Sequence, residues 1–413
     1  MAEIGGSIRP PRFVRPRPDH SATNVSPLTR RLTLVFSLLA LAVVAAAPAA
    51  HAAKADPATQ LLKQSLKRLV KLDGGPPGAI AIVQREGERR RVVKAGFANL
   101  APTERPHPTD HMRIASVSKA FSGAVALSLV DEGRLLLDTT IGEKIPEAPA
   151  AWAQVTLREA LHHTSGLPDY SADPDFLAAL TANPQQYFAP RDLIDFVRDQ
   201  PLGFAPGTSY KYSNTDNIIV GLMAEAATGT PYAELLATHV YAPLGMQRTS
   251  LPSDAAIPAP FIHGYDLEPG LPPEDISTEL GVSGVWASGG IVSTPADLNR
   301  FVRGYVGGAL FSKEQRTAQF DFIPGAGSEP AGPGDNSAGL ALFRYRGKCG
   351  TVFGHTGNFP GYTQFMAATR NGESSVTLSV NTQLRPDVGD GSVFNSLLKA
   401  EEQAVCAMLT RAR

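Results

Sequence analysis

Apolar and polar positions divide the chain into a sheet-forming beginning, a helix-rich middle and a sheet-forming end. Residues 57–70 carry apolar side chains at helical spacing and predict an amphipathic helix. Residues 79–84 and 91–95 read as two strands across a Glu86-Gly87 turn, so the folded part opens with a hairpin. Over 116–130, Ala120, Ala124 and Leu127 recur at helical spacing with Gly133 just beyond as a stop signal, which predicts a buried helix. Short helical patterns broken by proline fill 150–310, and strand-like runs return at 340–344, 351–354, 363–368 and 375–380 before a closing helix at 393–410. The pattern therefore predicts an α+β fold in which helices flank an antiparallel sheet. The sheet lobe takes about 57–112 and 310–413, and a mainly helical lobe takes about 113–309.

The first residues depart from this pattern. Arg9, Arg12, Arg15, Arg17, Arg30 and Arg31 stand against only Glu3 and Asp19, an apolar run follows from Leu32 to Ala47, and Ala50-His51-Ala52 has the small-x-small form of a cleavage site. Residues 1–52 read as a secretory signal with a long basic n-region, cut after Ala52, with an uncleaved anchor as the alternative. The Arg30-Arg31 pair leaves open a twin-arginine route, and the length of the n-region leaves open a later true start. The expected location is secreted or extracytoplasmic, in a periplasm or cell envelope, with no permanent membrane span once the signal is gone.

The remaining 413 − 52 = 361 residues suffice for two lobes, and 43% hydrophobic residues with a full-chain net charge of −1 suggest an ordinary globule. Neither nucleic acid nor an anionic membrane surface is implied as a partner. Cys349 and Cys406 both fall in the exported part, where oxidation is allowed and they could pair. Zinc spacings, H-E-x-x-H and phosphate-cradling glycine loops are missing from the sequence, so no metal or cofactor is expected. Oligomeric state is left open.

Candidate chemistry begins at Ser116-Val117-Ser118-Lys119. Positions three apart share one face of a helix, so the Lys119 amine can reach the Ser116 hydroxyl, and a desolvated amine is neutral enough to take its proton. Ser-x-x-Lys alone is a weak signal. A second constellation, Tyr212-Ser213-Asn214, precedes the apolar helical pattern of 218–227: a phenol beside an ammonium loses its proton more readily, and the Asn214 amide suits a substrate carbonyl or Lys119. The third, His355-Thr356-Gly357-Asn358, reads as a strand near the end of the sheet, where His355 and Thr356 would bond a polar or anionic group and Gly357 would let a substrate backbone lie on the strand edge. No G-x-S-x-G elbow occurs. His162 and His163 read as loop-packing residues rather than members of a Ser-His-Asp triad.

In this order the three constellations resemble the serine β-lactamase and penicillin-binding superfamily, on its class C and D-alanyl-D-alanine carboxypeptidase branch. The resemblance covers about residues 60–410, including Leu161 to Leu167, Tyr212 to Thr215, and Ala287-Ser288-Gly289-Gly290 followed by Asp297. It implies a β-lactamase/transpeptidase-like fold, Ser116 as the acylated serine, Lys119 as its activator, Tyr212 as the catalytic tyrosine and Asn214 as a substrate contact. His355-Thr356-Gly357 becomes the third motif, and the oxyanion hole becomes the backbone N–H groups of Ser116 and Asn358.

Secreted D-alanyl-D-alanine carboxypeptidases and D-amino-acid peptidases share histidine in the third motif and a cysteine pair, so the resemblance implies a Cys349–Cys406 disulfide. Those carboxypeptidases follow a Gly-Leu-x-Leu strand with arginine, whereas Gly339-Leu340-Ala341-Leu342 is followed by Phe343, with Arg344 one step later and expected to face away from the groove. The expected function is a secreted serine hydrolase on amides or esters, D,D-carboxypeptidase or D-amino-acid peptidase-like, with small-ester hydrolase or class C-like β-lactamase as alternatives. Its partners would be small peptide, ester or peptidoglycan-derived substrates. A non-catalytic penicillin- or peptidoglycan-binding module is disfavoured because Lys119 and Tyr212 are both present. Any help from His355, titrating near 6.5, is expected to fade as pH rises.

Overall fold

A computed structural model describes residues 56–410, and the expected export signal lies outside them. Helix α1 (Pro57–Leu69) starts at Asp56, whose carboxylate accepts from the Thr59 N–H, and buries Leu62, Leu66 and Leu69 along one stripe. β1 (Gly78–Gln84) and β2 (Arg91–Gly96) form the opening hairpin. The helical lobe follows, with α2 (Ser118–Asp131), α3 (Asn214–Thr228) and α4 (Pro295–Gly307) as its longest helices. The chain then returns through β3 (Ile323–Pro324), β4 (Asp335–Gly339), β5 (Leu342–Gly347), β6 (Gly350–Phe359), β7 (Tyr362–Ala368) and β8 (Ser375–Val380), and closes with α5 (Ser392–Leu409).

The strands make one antiparallel sheet in the order β2-β1-β8-β7-β6-β5-β4-β3, so β1 is sewn to the end of the chain in the register Ala79↔Val380 through Gln84↔Ser375. Both faces are covered. Ala79, Ala81 and Val83 turn to Leu62 and Leu66 of α1 and Leu397 and Ala404 of α5, while Ile80 and Met366 turn to the helical lobe with Phe121, Leu298 and Phe301. Two-sided burial explains why these strands read as unbroken apolar runs rather than as alternating ones.

Two strand expectations need correction. The apolar stretch 340–344 is not one strand: Leu340-Ala341 is the two-residue turn between β4 and β5, with Ala341 at φ +48°. That turn is buried, held by Ala341 N–H to the Leu161 carbonyl (2.8 Å) and by the Tyr305 hydroxyl to the Ala341 carbonyl (3.0 Å), so it carries apolar residues where an exposed turn carries polar ones. The third motif does not lie near the end of the sheet either. β6 runs through it to Phe359 as an interior strand, with β5, β4 and β3 beyond it. Its pairing with β5 stops at Gly354, opposite Phe343, while pairing with β7 continues through His355↔Met366 and Gly357↔Gln364.

The expected Cys349–Cys406 disulfide is formed, with Cα atoms 5.2 Å apart, and joins the β5–β6 hairpin to α5. No helix among the described residues is long and apolar enough to cross a membrane.

Candidate active site

Ser116 sits in a single 3₁₀ turn, Ala115–Val117, that feeds α2. The turn is clamped from several directions. Ile114 N–H bonds the Ile291 carbonyl (3.1 Å), Met112 and Arg113 pair with Ser293 and Val292, and the Gln364 amide donates to the Arg113 carbonyl (3.0 Å). Ala115 is held at φ +51°, a conformation that costs a non-glycine residue about 1–3 kcal/mol and that the surrounding contacts impose. The turn also lies directly on β6: a Cβ on Gly357 would come within 2.6 Å of the Ile114 carbonyl and 3.1 Å of the Val117 nitrogen. Gly357 therefore makes room for the serine turn on that face, not for a substrate backbone as the sequence suggested.

Lys119, on the first turn of α2, is fully buried. Its Nζ lies 3.1 Å from Ser116 Oγ, 2.7 Å from Asn214 Oδ1 and 2.8 Å from the Ser288 carbonyl. Burial lowers its pKa to about 7, against a smaller opposing pull from Asp169 and Asp216. A neutral amine has two N–H bonds and one lone pair, and the three neighbours match: Asn214 Oδ1 and the Ser288 carbonyl can only accept, leaving the lone pair for the Ser116 hydroxyl. Ser116 itself is only partly buried and can be reached from outside.

Tyr212 shares this pocket, its ring centroid 5.0 Å from Lys119 Nζ and 4.5 Å from the His163 ring. Its hydroxyl is buried and has no hydrogen-bond partner at bonding geometry among the described residues, although Ser116 lies close enough to favour its ionised form. Burial outweighs that and raises the phenol well above its ordinary range. The expectation that an adjacent ammonium would ionise Tyr212 is thus corrected: one desolvated site disfavours both charges, and near neutral pH a neutral phenol sits beside an amine close to its titration midpoint.

Asn214 meets Lys119 rather than a substrate. Its Oδ1 takes the lysine, and its two N–H bonds go to Asp169 (3.1 Å to Oδ2) and Ser171 Oγ (2.8 Å), so no donor is left over for a substrate carbonyl. Asn358 is anchored through Nδ2 to the Leu384 carbonyl (2.5 Å). Thr356 Oγ1 lies 2.6 Å from Ser328 Oγ and 2.7 Å from the Pro330 carbonyl, which binds the third motif to the loop before β4.

His355 is the largest correction. It is fully buried, its Nδ1 lies 2.5 Å from the Thr356 carbonyl, its Nε2 is unpartnered among the described residues, and its ring packs edge-on to Phe343 at 4.9 Å. Burial, helped by the fields of Lys119 and His163, lowers its pKa to about 3, so it is neutral throughout the working range and offers no titrating charge near 6.5. Arg344 is engaged elsewhere, donating to Ser337 Oγ (2.8 Å) with its guanidinium 4.9 Å from the Phe322 ring centroid.

Several participants escaped the sequence reading. The Ser288 carbonyl belongs to the quoted Ala287–Gly290 stretch, but a backbone acceptor leaves no signature in residue type. Asp169, two residues beyond Leu167, orients Asn214. His162 packs as expected, Nε2 to the Asp321 carbonyl at 2.8 Å, whereas His163 does more: its Nδ1 meets Asp216 Oδ2 at 2.7 Å while its ring braces Tyr212. Ser165 also bonds Asp216, so the carboxylate stands between serine and histidine and no Ser-His-Asp relay forms.

Residues 58–395 match the protein family described as Beta-lactamase. The chain belongs to the beta-lactamase family. It carries that family's α+β fold. Among relatives of this family, Penicillin-binding protein 4* of Bacillus subtilis is 28% identical over 284 residues, covering 66% of this chain and 60% of that protein. A D-aminopeptidase of Brucella ovis is 32% identical over 222 residues, covering 52% of this chain and 40% of that protein. The chain thus matches about half the length of these relatives. Among solved structures, a D-stereospecific amidohydrolase from Streptomyces sp. superposes with a TM-score of 0.72 at 28% identity, covering 83% of this chain and 98% of that one. A D-amino acid amidase from Ochrobactrum anthropi SV3 shares the fold, with a TM-score of 0.74 at 24% identity over 85% of this chain and 98% of that one.

Proposed function

We propose that this protein hydrolyses amide or ester bonds on the carbonyl side of D-amino-acid residues through an acyl-enzyme on Ser116. The observation that carries the reading is the Lys119 amine, buried, with a pKa near 7 and a lone pair left for Ser116 Oγ at 3.1 Å. Neutral Lys119 takes the Ser116 proton as Oγ attacks the carbonyl carbon, and the developing oxyanion is met by the backbone N–H groups of Ser116 and Asn358. Tyr212, held as a neutral phenol, gives its proton to the leaving nitrogen or oxygen and is reprotonated by the Lys119 ammonium. In the second half the same pair draws a proton from water as it attacks the ester, and Ser116 recovers its hydrogen. The D-aminopeptidase and D-stereospecific amidohydrolase relatives support the D-amino-acid side of the reading.

The surroundings speak against a carboxylate-reading enzyme. Phe343 is apolar, Arg344 is committed to Ser337 and Phe322, and His355 is neutral, so the charge that would hold a β-lactam or D-Ala-D-Ala carboxylate is missing at these positions. The acid-favoured D,D-peptidase activity expected from a titrating His355 is withdrawn with it. Purified protein tested on D- and L-amino-acid amides and p-nitrophenyl esters, acyl-D-Ala-D-Ala and nitrocefin decides the matter. Turnover of the D-amides and esters with weak nitrocefin and peptide-acid hydrolysis is expected; efficient turnover of the free-acid dipeptide alone would overturn the reading. Export to an oxidising compartment belongs to the same proposal and is supported by the Cys349–Cys406 bridge.

A further inference from the structure

The loop before β4 places one carboxylate at the candidate site that the mechanism does not use. Glu329 lies between Ser328 and Pro330, and both neighbours are bound by Thr356 of the third motif, Ser328 through its hydroxyl at 2.6 Å and Pro330 through its carbonyl at 2.7 Å. One residue earlier, the Gly327 carbonyl accepts from the Tyr210 hydroxyl at 2.5 Å, on the segment that leads to Tyr212. The loop is therefore fastened to both constellations, and Glu329 is set between them. Its side chain is exposed and makes no hydrogen bond or ion pair among the described residues.

Charges of both signs act on it, but none is close enough to pair with it. Partial burial raises the pKa of Glu329, and the charge of Asp169, itself already satisfied by Asn214 and Ser171, adds to the rise. Lys119 and Lys211 act in the opposite direction, yet neither reaches ion-pair distance, and Lys119 is largely neutral above pH 7. Two further polar atoms, Tyr212 Oη and His355 Nε2, are buried at this site without partners among the described residues. The site thus presents a carboxylate on an anchored backbone with no ion-pair partner among the described residues, together with the unpartnered Tyr212 phenol.

We infer that Glu329 is an ammonium-binding subsite, and that the substrate is held there by its own free α-amine. The inference rests on the proposed hydrolysis of D-amino-acid derivatives and specifies which of them are selected. An α-ammonium is separated from the scissile carbonyl carbon by a single carbon, so a carboxylate that binds it also fixes the position of the reacting carbon over Ser116. A charge-assisted hydrogen bond of this kind is worth about 1.5–3 kcal/mol, or roughly 10- to 100-fold in binding.

The test compares D-alanine p-nitroanilide, its N-acetyl derivative and N-acetyl-D-lysine p-nitroanilide on wild type, Glu329→Gln and Glu329→Asp. The ratio of kcat/KM for the free amine to that for the N-acetyl compound should fall about 10- to 100-fold in Glu329→Gln and partly recover in Glu329→Asp. An unchanged ratio would overturn the inference, as would a loss confined to the lysine substrate, which would assign the carboxylate to a side-chain cation. A binding arm separates this outcome from the fate of the hydrolysis proposal. Calorimetry of D-alaninamide on Ser116→Ala, with and without Glu329→Gln, should show at least tenfold weaker binding in the double variant. Loss of affinity there supports the subsite even if no amide is turned over, and equal affinities reject it even if turnover is brisk.

Discussion

Lys119 and Tyr212 show how a residue's surroundings, rather than its type, set its chemical state. The amine is pushed down to about 7 and the phenol well up by the same desolvation, which makes the lysine the base and the tyrosine the acid. Because the active form of Lys119 is the neutral one, kcat/KM on an uncharged D-amino-acid ester should rise with pH, with a midpoint near 7, and level off above it. A rate that instead falls from pH 5.5 to 8.5 would show that an ammonium or a protonated histidine is the working form. Tyr212→Phe should retain the fold and lose about 10²- to 10⁴-fold in kcat on amides, since it removes the hydroxyl assigned to protonate the leaving group. These residues were legible in the sequence because a three-residue spacing on a helix is a statement about space. The state of His355 was not, since its burial depends on Phe343, twelve positions earlier in sequence and edge-on to its ring. The same holds for Asp169, the Ser288 carbonyl and Glu329, which reach the site by long-range folding and carry no motif of their own.

Elements meet here with little tolerance. The 3₁₀ turn that carries Ser116 rests on β6 where Gly357 has no side chain, and the Ala115 backbone is held in the left-handed region to allow it. Gly357→Ala should therefore displace the turn rather than unfold the sheet, lowering kcat/KM by roughly 10²-fold, the scale of a misplacement near 1 Å, while circular dichroism stays native. Wild-type activity in that variant would mean the turn has room to shift without consequence. Element type and order were readable from apolar spacing, including both strands of the opening hairpin and the closing helix. The break at Leu340-Ala341 was not, because a turn buried among Leu161, Gln319 and Tyr305 has the composition of a strand.

At the scale of the whole molecule, the first and last described segments share one sheet and one helical layer, α1 beside α5, so the ends of the chain hold the wall on which β6 presents its motif. The Cys349–Cys406 bridge spans 57 residues and restrains that wall; a loop of this length corresponds to about 4 kcal/mol in the chain-entropy account. Reduction should lower the melting temperature by several degrees, and alkylation of exported protein should find no free thiol, with its N-terminus at Ala53. Two alkylatable thiols in exported material would contradict both the bridge and its setting. The central claim is that Ser116 is the nucleophile, and mass mapping of a fluorophosphonate adduct tests it most directly. One adduct on the peptide containing Ser116, absent from Ser116→Ala together with a loss in kcat on the order of 10⁶, is the predicted result; an adduct that persists in Ser116→Ala, or maps to another residue, would contradict it.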